Sequence, residues 1–245
     1  MKIFETDYSI AVFSDRSDGD LKFYEDNKTE TENNWRNLAK KIGLSTELPL
    51  FVNQVHQSDI VEVSSRLPFP THQTKADGLI TNLPQTTIGV FTADCCPVLI
   101  SSPKSVSATH AGWASTCQSI SSKTVLKHQK IFGTSPSELT AFIGPCIGQC
   151  CFEVGDEVYS AFLKTDEECK KFFTKFNKSN LIFTKLNKWH LNLRALNRYQ
   201  LEKAGIPHNQ IIDLDECTYC LQDKYFSYRR MKKRNGSMFS FIFLK

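Results

Sequence analysis

The sequence predicts an α+β fold in which packed sheets carry helices on their outer faces. Three observations point there. Strand-like segments fill the middle of the chain and helical segments follow them, so the two kinds come in blocks instead of strict alternation. No internal repeat or low-complexity linker divides the 245 residues, which predicts a single domain over residues 1–245. With 40% hydrophobic and 23% charged residues, a chain of this length can bury a substantial core.

Residues 33–41 place Trp35, Leu38 and Ala39 at helical spacing, and Gly43 supplies a C-terminal stop. Short β-rich runs follow at 50–55, 60–63, 78–81, 87–92, 98–101 and 106–109, separated by turn-forming residues. Residues 115–132 predict a helix ending at Gly133, and 156–163 another behind Gly155. Asn192 is a good N-cap for a third helix through Leu193, Leu196 and Leu201, which stops at Gly205-Ile206-Pro207. Asn235-Gly236 predicts a hairpin turn between strands at 226–229 and 238–244.

Composition narrows the function classes. Lys and Arg exceed Asp and Glu by 30 to 26, and a net charge of +4 does not by itself imply nucleic acid. The lysines at 164, 170, 171, 175, 178, 185 and 188 predict a solvated basic face. Glu5 and Asp7 interrupt any apolar leader, and no uninterrupted apolar run reaches membrane-spanning length, so a cytoplasmic chain is expected. Nine cysteines in a reducing compartment predict thiols or ligands, and an odd number cannot pair fully within one chain.

Three segments carry the chemistry. His56 sits in Gln54-Val55-His56, Cys95 in Ala93-Asp94-Cys95-Cys96-Pro97, and His110 in Thr109-His110-Ala111-Gly112-Trp113. Each lies at or just beyond an apolar, strand-like stretch, so a sheet can bring them together. Two imidazoles and one thiolate suit Zn²⁺ or a copper ion, and three protein ligands leave a fourth position for water or substrate. A histidine at a strand end also serves as a plain half-buried hydrogen-bonding residue.

Asp77, Asp94 and Glu153 are carboxylates near these segments, available to orient a ligand histidine or act as a general base; Asp77 also suits a turn cap. The glycine-containing stretch 143–155 lets backbone amides approach an anion or simply turns tightly. It matches neither a P-loop nor a dinucleotide fingerprint, which argues against ATP and NAD. Cys217-Thr218-Tyr219-Cys220, with Cys146, Cys150 and Cys151, admits a four-cysteine zinc site, but buried inert thiols are the preferred expectation. Arg229 and Arg230 follow an aromatic segment and either grip an anion or sit on the surface.

The ordered set Gln54-Val55-His56, Ala76-Asp77-Gly78-Leu79-Ile80-Thr81, Asp94-Cys95-Cys96-Pro97, His110-Ala111-Gly112-Trp113, Cys151-Phe152-Glu153-Val154-Gly155 and Phe226-Ser227-Tyr228-Arg229-Arg230 closely resembles the laccase-domain family. That family is also called multicopper polyphenol oxidase and purine nucleoside phosphorylase-like. The likeness runs from about Phe51 to the C-terminus. It implies a four-layer α/β/β/α sandwich with mixed sheets, and one zinc held by His56, Cys95 and His110.

It further implies phosphorolysis of adenosine, inosine and 5′-methylthioadenosine to the free base and (methylthio)ribose 1-phosphate, with adenosine deaminase activity as well. The expected partners are purine nucleosides and phosphate, with no nucleic acid or membrane, in a monomer or homodimer. In that scheme Asp94 or Glu153 shuttles protons, and Arg229 or Arg230 positions phosphate. The laccase name fits poorly, because six histidines with no His-x-His pair cannot build a multicopper centre. Two departures stand out: Ala114-Ser115 replaces the family Arg-Gly, removing a cation, and Asn192 replaces a capping Asp. The rival functions are a zinc amide hydrolase removing L-Ser from the peptidoglycan precursor UDP-MurNAc-L-Ser, a metal-free cysteine hydrolase using Cys95 and His110, and a zinc-stabilised binding module.

Overall fold

The computed structural model describes residues 1–22, 28–45, 47–65, 73–175, 188–233 and 236–245. Lys178, Lys185 and the first residue of the expected Asn235-Gly236 turn lie outside them. β1 (Lys2–Glu5) and β2 (Ser9–Phe13) open the chain, followed by α1 (Lys28–Lys41), β3 (Ile60–Val63), β4 (Gly78–Thr81), β5 (Ile88–Thr92), β6 (Cys96–Ser101) and β7 (Val106–Ala111). Next come α2 (Trp113–Cys117), α3 (Ile120–Phe132), β8 (Thr140–Ile143), β9 (Glu153–Val154) and α4 (Asp156–Thr165). β10 (Phe173–Lys175), β11 (Trp189–Leu191), α5 (Leu193–Lys203), β12 (Ile211–Asp213), α6 (Tyr228–Met231) and β13 (Met238–Leu244) finish the order.

Six strands form one sheet in the order β12-β8-β6-β7-β4-β3, and four form a second in the order β1-β2-β13-β5. Every residue of β6, β7 and β13 is buried, as strands covered on both faces must be. The period of two divides their side chains. Val98 and Ile100 of β6 pack with Val125 of α3 and Leu196 and Leu201 of α5. Leu99 faces the other way, into a core shared with Val90 of β5 and Ile242 of β13. Across the second sheet, Phe239 and Phe241 meet Trp35 and Leu38 of α1. Helices, sheet, sheet and helix thus make four layers, as expected. Mixed pairing is confined to the six-stranded sheet, where β3–β4 and β8–β12 are parallel. The four-stranded sheet and a small β10-β11-β9 sheet are antiparallel throughout.

Three sequence expectations change. Residues 50–55 make only isolated bridges, Leu50 to Ile88 and Asn53 to Lys75. The reason is a partner distant in sequence: the amides of Val55, His56 and Gln57 donate to the Asp77 carboxylate instead of to a ladder. Residues 226–229 are no strand, because the Ser227 hydroxyl accepts from the Arg230 amide at 3.2 Å and starts the single turn of α6. The expected helix at 115–132 is two helices, broken at Ser119 with φ 62°. Gln200 fills that break, its amide donating to the Thr116 carbonyl at 2.6 Å.

Trp35 anchors the outer layer. Its ring meets Phe239 and Phe241 edge-on at 6.0 and 5.3 Å, and its indole N–H donates to the Glu47 carbonyl at 2.7 Å. Trp35→Ala is expected to cost about 3–5 kcal/mol of stability, read from the chemical-unfolding midpoint, by opening a cavity that β13 cannot collapse into.

Candidate metal centre

His110 lies at the end of β7, Cys95 in the connection between β5 and β6, and His56 in the loop before β3. Asp77, fully buried ahead of β4, ties the His56 and His110 segments together. One oxygen accepts from the His56 amide at 3.0 Å and from His110 Nδ1 at 2.7 Å. The other accepts from the Val55 and Gln57 amides at 3.1 and 2.7 Å. Its backbone carbonyl takes the His110 amide at 2.7 Å. Burial alone would raise the Asp77 carboxyl; the His110 hydrogen bond and charge, with the amide donors, hold it below its ordinary value.

With Nδ1 held by Asp77, Nε2 is the His110 nitrogen left to bind. The two imidazoles meet at 81° with centroids 4.8 Å apart, and Cys95 Sγ is 3.9 Å from His56 Nε2. All three donor atoms lie within 4.8 Å of one another. A tetrahedral Zn²⁺ with nitrogens at about 2.0–2.1 Å and sulfur at about 2.3 Å calls for a similar, slightly tighter triangle. The donor set therefore fits such an ion and leaves one side open.

Gly112 is part of this fit. A Cβ there would sit 3.0 Å from His56 Cδ2 and 3.2 Å from Cys95 Sγ, so any other residue would press on two ligands. Electrostatics complete it. Burial opposes ionisation of Cys95, but His110 and His56 outweigh it and bring the thiol to about 6. His110 rises to about 9: burial works against its charge, while Cys95 and Asp77 favour it. Asp77→Asn is expected to lower metal affinity about 10–100-fold, measured by competition with a chelator, because the amide cannot anchor His110 and the three amides together.

The ligand trio opens onto a cavity of about 480 Å³, within the usual small-molecule range of about 300–1,000 Å³. Phe91, Trp113, Phe152 and Phe226 give it aromatic walls. Lys22, Arg229 and Lys233 add three cations. Sequence motifs did not mark Lys22 or Lys233, since both lie in segments without a signature.

The expected catalytic residues divide. Asp94 borders the cavity, with φ 99°, and is tied down. Oδ1 accepts from Thr218 at 2.6 Å, and Oδ2 from the Ser227 hydroxyl at 3.0 Å and the Arg229 amide at 2.7 Å. Glu153 is half-buried in β9, and its carbonyl accepts from the Arg229 guanidinium at 2.9 Å. Arg229 reaches the cavity, lying over the Phe152 ring at 5.5 Å. Arg230 points elsewhere and donates to the carbonyls of Thr218, Tyr219 and Tyr225 at 2.7–2.8 Å.

The other described histidines stay apart. His128 is buried between Ser105 and Ser107, and desolvation brings it down to about 3. His190 bonds the Gln149 carbonyl and His208 bonds Glu202. Among the described residues, then, His56 and His110 are the only imidazoles that join a cluster able to hold a metal. The thiols differ from expectation. Cys146 is buried, but Cys150, Cys151, Cys217 and Cys220 gather at the surface, with Cys150 and Cys220 exposed.

Known proteins resemble this chain over most of its length. The family described as multi-copper polyphenol oxidoreductase laccase matches residues 16–245. A purine nucleoside phosphorylase of Haemophilus influenzae is 34% identical over 222 residues, covering 90% of this chain and 84% of that protein. Adenosine deaminase RL5, from an unknown prokaryotic organism, is 32% identical over 85% of this chain and 79% of its own length. The crystal structure of Bacillus licheniformis hypothetical protein YfiH superposes with a TM-score of 0.84 at 29% identity, covering 97% of this chain and 93% of that one.

Proposed function

Because this chain belongs to the multi-copper polyphenol oxidoreductase laccase family, we propose that it processes purine nucleosides at a one-zinc centre. The reactions are phosphorolysis of adenosine, inosine and 5′-methylthioadenosine to free base and (methylthio)ribose 1-phosphate, and deamination of adenosine. The observation that carries this reading is the His56–Cys95–His110 set opening onto an aromatic, cation-edged cavity. Aromatic walls suit a planar purine, and cations suit phosphate. Lys22, Arg229 and Lys233 supply positive charge that Ala114 cannot.

Zinc, when bound to His56, Cys95 and His110, supplies Lewis acidity towards a water or a purine substituent. The chain's own residues do the rest. Asp77 fixes the His110 ring and its tautomer. Arg229 positions phosphate for attack on the ribose C1′: Glu153 and Phe152 steady its guanidinium, whose remaining N–H groups are free for a bidentate grip. Asp94 holds the Arg229 amide, and of the two carboxylates it is the one bordering the cavity. It is therefore assigned the proton transfer; its Oδ1 accepts one bond and its Oδ2 two.

A second reading has an observation of its own. Cys95 near 6 and His110 near 9 make a thiolate–imidazolium pair, the resting state of a metal-free cysteine hydrolase. Elemental analysis combined with product chromatography separates the two. Metal-loaded protein should release adenine from adenosine only with phosphate present, and inosine without it. Turnover by metal-free protein would favour the thiol enzyme, and release of L-Ser from UDP-MurNAc-L-Ser by metal-loaded protein only, with no nucleoside consumed, would overturn both.

A further inference from the structure

We propose that Cys150, Cys151, Cys217 and Cys220 form a second metal site that holds one structural zinc through four thiolates. The four sulfur atoms lie within 4.8 Å of one another. Cys151–Cys220 is 3.4 Å, Cys150–Cys151 3.5 Å, Cys150–Cys220 3.6 Å and Cys150–Cys217 3.8 Å. A tetrahedral tetrathiolate with Zn–S of about 2.3 Å sets its sulfurs about 3.8 Å apart, close to these separations. Disulfides need about 2.05 Å, and all four cysteines are free.

The backbone builds the cluster deliberately. The Cys151 amide closes a turn on the Gly148 carbonyl at 2.9 Å, and the Leu221 amide closes one on Cys217 at 3.0 Å. A bridge between Cys146 and Cys217 sets the two turns side by side. Gly148 makes room: a Cβ there would meet Cys150 Sγ and Cys217 Sγ, each at 3.2 Å. Its amide donates to Cys217 Sγ at 3.1 Å, and the amides of Tyr219 and Cys220 add to it, the donor shell that a metal-bound thiolate takes. Four sulfurs and no oxygen select a thiophilic d¹⁰ ion over magnesium or calcium.

The site shares no residue with the His56–Cys95–His110 set, yet it braces it. Thr218, between two of the cysteines, donates to Asp94, and the carbonyls of Thr218 and Tyr219 hold Arg230. The ion would pin the loop that steadies Asp94 and, through it, the amide of Arg229.

The test uses the whole chain, produced with zinc and purified under reductant. Elemental analysis should find two zinc per chain, one in Cys95→Ala and one in the Cys217→Ser/Cys220→Ser double variant. If the double variant does not fold, Cys95→Ala alone decides. Loaded with Co²⁺, that chain should show intense thiolate-to-cobalt charge transfer, weakened on adding Cys150→Ser and lost when Cys217→Ser and Cys220→Ser are added as well. One zinc in the parent chain and none in Cys95→Ala overturns the site. So does recovery of these four cysteines as disulfides under reductant.

Discussion

Cys95→Ser should strip the metal from the His56–Cys95–His110 centre and abolish turnover, while its neighbour Cys96→Ser keeps both. Successive side chains at the entry to β6 point to opposite faces. Cys95 turns to the imidazoles, and Cys96 is buried in the core beneath α3 and α5. Their thiols differ accordingly. Cys95 is drawn down to about 6, whereas a hydrogen bond with Cys146 and burial push Cys96 up. A hydroxyl is a poor substitute for a soft thiolate, so the loss at Cys95 should exceed the roughly 100-fold upper range of outer-shell mutations. Cys96→Ser should cost only about 1–3 kcal/mol of stability, from a hydroxyl in an apolar place. Metal content and nucleoside turnover of the two variants check this; the reverse outcome would mean the strand register is wrong.

Arg229→Ala should lower phosphorolysis about 10²–10³-fold, the range for removing one charge-stabilising donor, while adenosine deamination and metal content stay near parent values. The asymmetry follows from geometry. The Asp94 bond comes from the Arg229 amide and survives truncation, so only the guanidinium at the cavity is lost. Arg230→Ala should behave differently. It removes a guanidinium from three carbonyls, so it should lower the unfolding midpoint and reduce both reactions together. Initial rates of base release and of inosine formation, measured side by side, distinguish the two. A parallel fall of both reactions in Arg229→Ala would remove that residue from phosphate positioning.

The sequence made the metal centre legible because strand ends and ligand chemistry coincide in short motifs. Cys95 and His110 stand at such ends, and His56 lies in the loop before β3. The limits of β3 and β4 were legible for the same reason, since turn formers bracket compact apolar runs. What was hidden depends on long-range partners. Residues 50–55 carry strand composition, but Asp77 takes the amides of Val55, His56 and Gln57. Phe226 to Arg229 look extended until Asp94, far back in the chain, accepts from Ser227 and Arg229 and fixes a helical turn. Arg229 and Arg230 are equivalent as letters, and only the turn of α6 sends one to the cavity and the other to the loop. Lys22 had no signal, because its relevance comes solely from where α1 and the second sheet deliver it.

The place of β13 bears on how the molecule is made. This strand lies between β2 and β5, although both partners precede it by well over a hundred residues. On the ribosome, β5 emerges with the apolar run Ile88-Gly89-Val90-Phe91-Thr92 and must wait for its neighbour. At about 5–20 residues per second the delay is roughly 7–30 s. During that interval the strand is an exposed edge able to pair with another nascent chain. The ligands can gather early, but Phe226, Arg229, Gly236 and Ser237 of the cavity wall close in only when β13 docks, so slow or crowded synthesis should yield aggregates before it yields inactive folded protein.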